Sequence, residues 1–382
     1  MARLSARVGT GLVTVAGLFG VACSDAENSG SNSAAGQPSL AGSSTTTGGG
    51  GASSAGAPSG GSTATGGMTS PGGASGNSSG GMNGGSVNGG GANGGSPNAG
   101  GPNGGSGGVP YDDRSPTGTC ARWKADTANL DEGTWSGSVD ACSVGDISAD
   151  GRANALRMVN LMRWLADLPT VTTDDTSNQQ AQACALMMTA NDELSHNPPM
   201  SWKCYSTLGA SGAGSGNISS GPGVESVLSY LVDSGNETTL GHRRWILSNE
   251  LGPIGLGSAG AGGASCMRVL GGNGKANKPW MAWPPPGAFP MQAYRDRYSR
   301  VLDDTGWSIQ SDLDLSGARV TITSGGQTKL VKVTQLGPNY ATSDAISIIP
   351  DGWKAAVGST YAVSVAGVAM AIDYEVQLID CQ

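Results

Sequence analysis

Apolar side chains keep three different rhythms along this chain, and the changes of rhythm divide it. A short apolar run, Val8 to Ala22, follows the basic start Met1-Ala2-Arg3-Leu4-Ser5-Ala6-Arg7. From Ser24 to about Val109 large apolar residues nearly vanish, with Met68 and Met82 almost the only ones. Between Asp150 and Leu247 they recur at helical spacing, and from Trp307 onward they alternate with polar residues as half-buried strands do.

The helical stretch predicts four helices. The first is capped by Asp150 and runs from Arg152 to Leu165, stopping near Leu168-Pro169, where proline disfavours continuation. The second follows Asp174-Asp175-Thr176 and runs through Gln182, Cys184 and Met188 to Leu194. The third covers Val224 to Val232, with Val224, Val227, Leu228 and Leu231 on one face, and the fourth covers His242 to Leu247. Ile254-Gly255-Leu256-Gly257 and Cys266-Met267-Arg268-Val269-Leu270 read as strands. Five more strands follow, around Ala318–Thr323, Leu330–Val333, Ala345–Ile349, Tyr361–Val365 and Ile372–Val376.

Composition explains the apolar gap. The 65 glycines of this 382-residue chain are concentrated in a Gly/Ser/Asn/Thr/Pro stretch that cannot bury enough surface to offset its ordering entropy. Residues 23–109 are therefore expected to form a disordered tether of about 50 Å r.m.s. reach. Residues 1–22, with a basic start and a short apolar core, read as a signal peptide, too short to span a membrane. Gly20-Val21-Ala22-Cys23 looks like a bacterial lipobox and makes Cys23 the candidate lipidation site; an ordinary signal peptide is the alternative. The expected location is the cell envelope, lipid-anchored at the outer membrane, or secreted.

Setting Cys23 aside leaves Cys120, Cys142, Cys184, Cys204, Cys266 and Cys381, an even set that suggests three disulfides in an exported protein. Proximity suggests Cys120–Cys142, Cys184–Cys204 and Cys266–Cys381, with 110–149 as an irregular lead-in stapled to itself. None of the six has zinc-finger spacing. A net charge of −8 gives a nucleic-acid partner no electrostatic support. No Gly-x-Ser-x-Gly elbow, phosphate loop or dinucleotide fingerprint occurs.

The chain has two histidines, each in distinctive company: Leu194-Ser195-His196-Asn197-Pro198 and Gly241-His242-Arg243-Arg244-Trp245. Together with Asn160, Arg163, Leu168-Pro169, Ala181-Gln182-Ala183-Cys184-Ala185 and Ile254-Gly255-Leu256-Gly257, these phrases come in an order that resembles the CAP superfamily (the SCP domain of cysteine-rich secretory, antigen 5 and pathogenesis-related proteins). The resemblance implies an α+β fold, with a CAP-type α-β-α sandwich over 150–275 and a β-rich C-terminal extension over 276–382. It also implies one cleft holding both histidines, typically beside two glutamates. Here Ser215-Gly216-Asn217-Ile218 puts glycine where the first carboxylate is expected, and Tyr230-Leu231-Val232-Asp233 leaves Asp233 for the second.

The expected cleft is therefore His196, His242, Asp233 and Asn217. Three readings stay open. His196, His242 and Asp233 could ligate Zn²⁺ or another divalent ion, with Glu225 or Glu237 as the nearest bases for a hydrolase. The cleft could instead bind a small ligand or a cell-envelope partner. Or the histidines are structural, in a purely structural surface module. Binding is favoured over catalysis, because losing one member of a catalytic set costs orders of magnitude in rate. Arg243 and Arg244 could meet an anionic ligand. Trp280 and Trp283, in a Pro-rich stretch, read either as a wall for a carbohydrate or peptide or, preferably, as a rigid connector packed between the two halves.

Overall fold

The structure of the protein, a computed structural model, describes residues 112–382; the expectations for 1–22, Cys23 and the tether fall outside the described residues. The helical half holds six helices: α1 (Pro116–Thr127), α2 (Ala149–Leu165), α3 (Asp175–Asn191), α4 (Thr207–Gly214), α5 (Gly223–Val232) and α6 (Gly241–Ile246). Three short strands, β1 (Gly216–Ser219), β2 (Gly255–Ser258) and β3 (Ser265–Arg268), pair antiparallel in the order β1-β3-β2.

Side chains alternate across this sheet, so its two faces can be told apart by residue. Cys266 and Ile218, directly paired, are buried with Ala181, Cys184, Ala185 and Met188 of α3. Met267 and Leu256 point the other way, into a core with Met158 and Val159 of α2 and Val227 and Leu231 of α5. Helices thus cover both faces, and the sandwich is α-β-α. A Cβ on Gly255 would collide with the Ser177 backbone, and one on Gly257 with the backbone of Ala181 and Gln182. The Gly-x-Gly phrase is what lets α3 lie directly on the strand.

The second half begins with β4 (Trp280–Trp283), β5 (Gly287–Pro290), a 3₁₀ turn at Met291–Tyr294 and α7 (Leu302–Thr305). It continues through β6 (Trp307–Ser311), β7 (Arg319–Ser324), β8 (Gln327–Lys329), β9 (Val331–Gln335), β10 (Asp344–Pro350), β11 (Thr360–Ala366) and β12 (Ile372–Ile379). Two sheets form, ordered β4-β6-β10-β9 and β5-β12-β11-β7-β8. Tyr361, Val363 and Val365 of β11 share one core with Trp307 and Ile309 of β6 and Ile346 and Ile348 of β10. That core is continuous with the α2–α5 core of the helical half.

The structure corrects several expectations. The lead-in is not stapled to itself: it contains α1, whose N-cap Ser115 accepts from the Gly118 amide at 3.1 Å and which has Pro116 in its first turn. The disulfides are Cys120–Cys381, Cys142–Cys204 and Cys184–Cys266, so all three neighbour pairings are replaced. Cys184 lies mid-helix on the face of α3 that packs on β3, which turns it toward Cys266. Cys204 lies past the end of α3, where its sulfur also meets the Val139 carbonyl at 3.4 Å, beside Cys142. Asp150 is in the first turn of α2, while Ser148 supplies the cap, accepting from Gly151 N.

The Pro-rich stretch is a regular strand, β4. Trp280–Trp283 pairs with β6 so that Ala282 stands opposite Ile309 and Trp283 opposite Ser308, on the face that meets Arg243; the Trp283 ring is edge-on to Phe289 with centroids 4.9 Å apart. Trp280 packs on Tyr374 at 5.4 Å.

The α3 cap gives a pH-dependent expectation. Asp174 accepts from the Ser177 amide at 2.9 Å, and hydrogen bonds from the Ser177 side chain and amide hold its pKa below the usual 3.8. A depressed carboxylate pKa contributes stability above the unfolded value and loses it as pH falls through the folded one. Asp174→Ala is expected to cost about 1 kcal/mol at pH 7. In urea melts at successive pH values, the gap to wild type should close below pH 3.8.

Candidate functional site

The ends of α3, α4, α5 and α6 converge at the edge of the β1-β3-β2 sheet, and the two histidines meet there. His196 follows α3 and is exposed; its Nδ1 lies 2.8 Å from the Ala213 carbonyl of α4. His242 stands in the first turn of α6, half-buried, with Nδ1 2.9 Å from Asp233 Oδ1. The two ring centroids are 6.3 Å apart, and the Tyr230 ring lies 5.2 Å from His242.

A carbonyl or carboxylate can only accept, so each Nδ1 carries the proton. Nε2 of each neutral ring is then the acceptor atom. A carboxylate behind an imidazole fixes its tautomer and its orientation.

Asp233 is fully buried at the left-handed C-cap of α5 (φ 58°), a conformation that aspartate tolerates. Its Oδ1 also accepts from Asn236 Nδ2 at 2.9 Å, and its Oδ2 from the Arg243 amide at 3.2 Å. Asn217, buried on β1, donates from Nδ2 to the His242 carbonyl at 3.1 Å and so ties the sheet to α6. Gly216 has no room for the glutamate that the resemblance places there: a Cβ would come 2.6 Å from the Met267 carbonyl oxygen.

The cleft has a volume of about 490 Å³, within the usual range for small-ligand sites. His196, Asn217 and His242 line it together with Asn236, Thr239 and Trp245, and Pro338, Asn339 and Tyr340 close it from the β9–β10 loop. Sequence reasoning missed Trp245, Asn236 and Tyr340. Trp245 was within reach, one helical turn after Gly241, whereas nothing in the local pattern marks Tyr340.

Several expected participants are elsewhere. Glu225 pairs with Arg297, and Glu237 accepts from the Gly235 amide, so neither carboxylate lines the cleft. Arg243 and Arg244 are buried and turned into the β half, not toward a ligand. Arg243 meets Leu231 O (2.6 Å), Val232 O (3.0 Å), Gly306 O (2.8 Å), Ser308 Oγ (3.0 Å) and Thr305 Oγ1 (3.2 Å). Burial pushes its pKa down to about 10, a loss that nearby Asp233 offsets, so it stays charged at neutral pH. Arg244 donates to Thr239 O, Gly337 O and Thr342 O.

The remaining family-like positions are scaffold. Asn160 bonds both the amide and the carbonyl of Val171, and Arg163 donates to Pro169 O, Ile246 O and Ser248 O.

The cleft was tested as a zinc site by its donor set. Zinc takes three protein ligands in catalytic sites and four in structural ones. Among the described residues no group of three or more His, Cys, Asp and Glu is placed to hold a metal ion. Asp233, the expected third ligand, stands behind His242 with both oxygens already engaged. Two imidazoles alone do not fit a resident zinc.

The family model of the cysteine-rich secretory protein family, CAP, matches residues 156–266, which run from within α2 into β3. Residues 156–266 therefore form a CAP-superfamily domain, and the β half lies outside the match. Neither a curated protein nor a solved structure matches the chain. Three disulfides fit an oxidising, extracytoplasmic setting. Among the described residues no helix is long and apolar enough to cross a membrane.

Proposed function

We propose that this is a cell-envelope binding protein, anchored by lipid on Cys23, held away from its membrane by the 23–109 tether, and presenting the two-histidine cleft to a small ligand or envelope component. The observation that carries the reading is the cleft itself. It is walled on one side by His196 and His242 of the CAP domain and on the other by Pro338–Tyr340 of the β half. Two imidazoles with proton positions set from behind form a pre-oriented hydrogen-bonding edge, and pre-orientation lowers the entropic cost of binding.

Binding is supported over hydrolysis. The Asp233–His242 pair could act as a base, but no carboxylic acid and no cysteine lines the cleft beside it. The chemistry asks instead for a partner that hydrogen-bonds to imidazole.

Incubating the purified chain with a detergent extract of the envelope, washing and denaturing it should release a small set of molecules identifiable by mass spectrometry. The His196→Ala/His242→Ala variant should release at least tenfold less. Equal release from the variant would falsify the cleft as the binding site. Zn²⁺ titration followed through the histidine Cε1–H resonances separates a metal-loaded cleft from an organic one: chelator-reversible broadening of both would put the metal there.

A further inference from the structure

We propose that the cleft takes a neutral saccharide, with Tyr340 of the β half as the wall that packs on the sugar ring. This deepens the binding reading above and rests on it.

The first observation is charge. Apart from the two imidazoles, the lining contains no ionisable acid or base other than the Tyr340 phenol. The arginines nearest in sequence are buried with their guanidinium groups on backbone carbonyls. A phosphate, carboxylate or ammonium ligand would leave water here without gaining a fixed counter-charge, which is costly.

The second observation is the mixture of surfaces. Trp245, Tyr340, Val269 and Leu270 give apolar wall, while His196, His242, Asn236, Thr239 and Asn339 give hydrogen-bonding edges. An acyl chain would cover those polar edges without pairing them, and each buried polar group left unsatisfied weakens binding. A sugar ring carries both kinds of surface at once: a C–H face for an aromatic ring and a rim of hydroxyls that donate to imidazole nitrogen and accept from amides.

The third observation is how Tyr340 is held. It sits between two left-handed residues, Asn339 (φ 69°) and Ala341 (φ 62°), and the Thr342 amide closes a tight turn on its carbonyl at 2.7 Å. Asparagine tolerates that conformation, whereas alanine keeps it only where its surroundings impose it. The surroundings here are α6. The Tyr340 ring packs on Gly241, where a Cβ would stand 2.6 Å from Cδ1 and Cε1, and the Arg244 guanidinium lies 5.6 Å from the ring centre while bonding the loop at Gly337 and Thr342. The helix that presents His242 thus also fixes the aromatic wall opposite it.

The test uses the chain's two histidines as reporters, because their Cε1–H resonances view the cleft without any substitution. Cellobiose and N,N′-diacetylchitobiose serve as neutral probes, cellobiuronic acid as an anionic one and laurate as an apolar one. The neutral disaccharides should shift both histidine resonances, with saturation transfer from the Tyr340 ring. Tyr340→Ala should weaken that binding about tenfold, and Tyr340→Phe should retain it. Shifts with the uronate or laurate but not the neutral probes would overturn the saccharide assignment and leave the cleft-binding reading standing. Undiminished disaccharide binding by folded Tyr340→Ala would overturn the role of Tyr340. Silence with every probe overturns the saccharide class, and if the envelope extract also yields nothing, the binding reading fails with it.

Discussion

Replacing Arg243 by alanine should destabilise the protein by about 3–5 kcal/mol, the usual cost of deleting one partner from a buried charged network. For a folded unit of this size that lowers the thermal midpoint by roughly 10 °C. The guanidinium has five N–H donors, and each finds an acceptor: two carbonyls at the end of α5, and Gly306 O, Ser308 Oγ and Thr305 Oγ1 in the β half. Truncation orphans these acceptors and leaves Asp233 buried without the cation that offsets it. Arg243→Lys keeps the charge but has three donors and no planar fork, so it should fall between wild type and alanine. Thermal melts followed by near-ultraviolet circular dichroism measure the order of the three proteins. An alanine variant as stable as wild type would remove Arg243 as the bolt between the halves.

The second large effect belongs to Cys120–Cys381, which closes a loop of 261 residues. On the chain-entropy account a loop of that length is worth about 5.5 kcal/mol, and the bridges nested within it, by shortening the effective loop, bring the figure nearer 5. The Cys120→Ser/Cys381→Ser variant should unfold at correspondingly lower denaturant with a steeper dependence, since its unfolded chain is less compact. A loss below about 1 kcal/mol would mean that the packing of α1 already holds the two ends together.

What could be read in advance follows from which interactions are local. Helical periodicity placed α2, α3, α5 and α6 within a few residues, and alternation placed the later strands, because both reflect a core face that repeats along a single element. One cleft for both histidines was legible through the family resemblance, since His196 follows α3 and His242 opens α6, with α4 and α5 between them. The rest was non-local. Cysteine order along the chain says nothing of which helix face each occupies, so Cys184 was matched to Cys204 although it faces β3. Arg243 and Arg244 look like anion binders in sequence, and only the packing of the β half on α6 shows them donating into it. Tyr340 lies 98 residues beyond His242; Gly337-Pro338-Asn339 marks a turn there, but nothing local says that this turn reaches the cleft. Asp233 was legible as a cleft carboxylate but not as one standing behind the imidazole, a matter of backbone direction at a helix end.

Cys120 and Cys381 also settle how the molecule bears load. Cys120 and Cys381 stand 261 residues apart, with all of the sheets and six of the helices between them, so the covalent bond short-circuits that part of the fold. A pull applied to the chain outside these two cysteines is carried by one sulfur–sulfur link, and neither the sheets nor the α6 junction has to resist it. Loaded that way, the domain behaves as a bead clipped to its string, not as a section of the string.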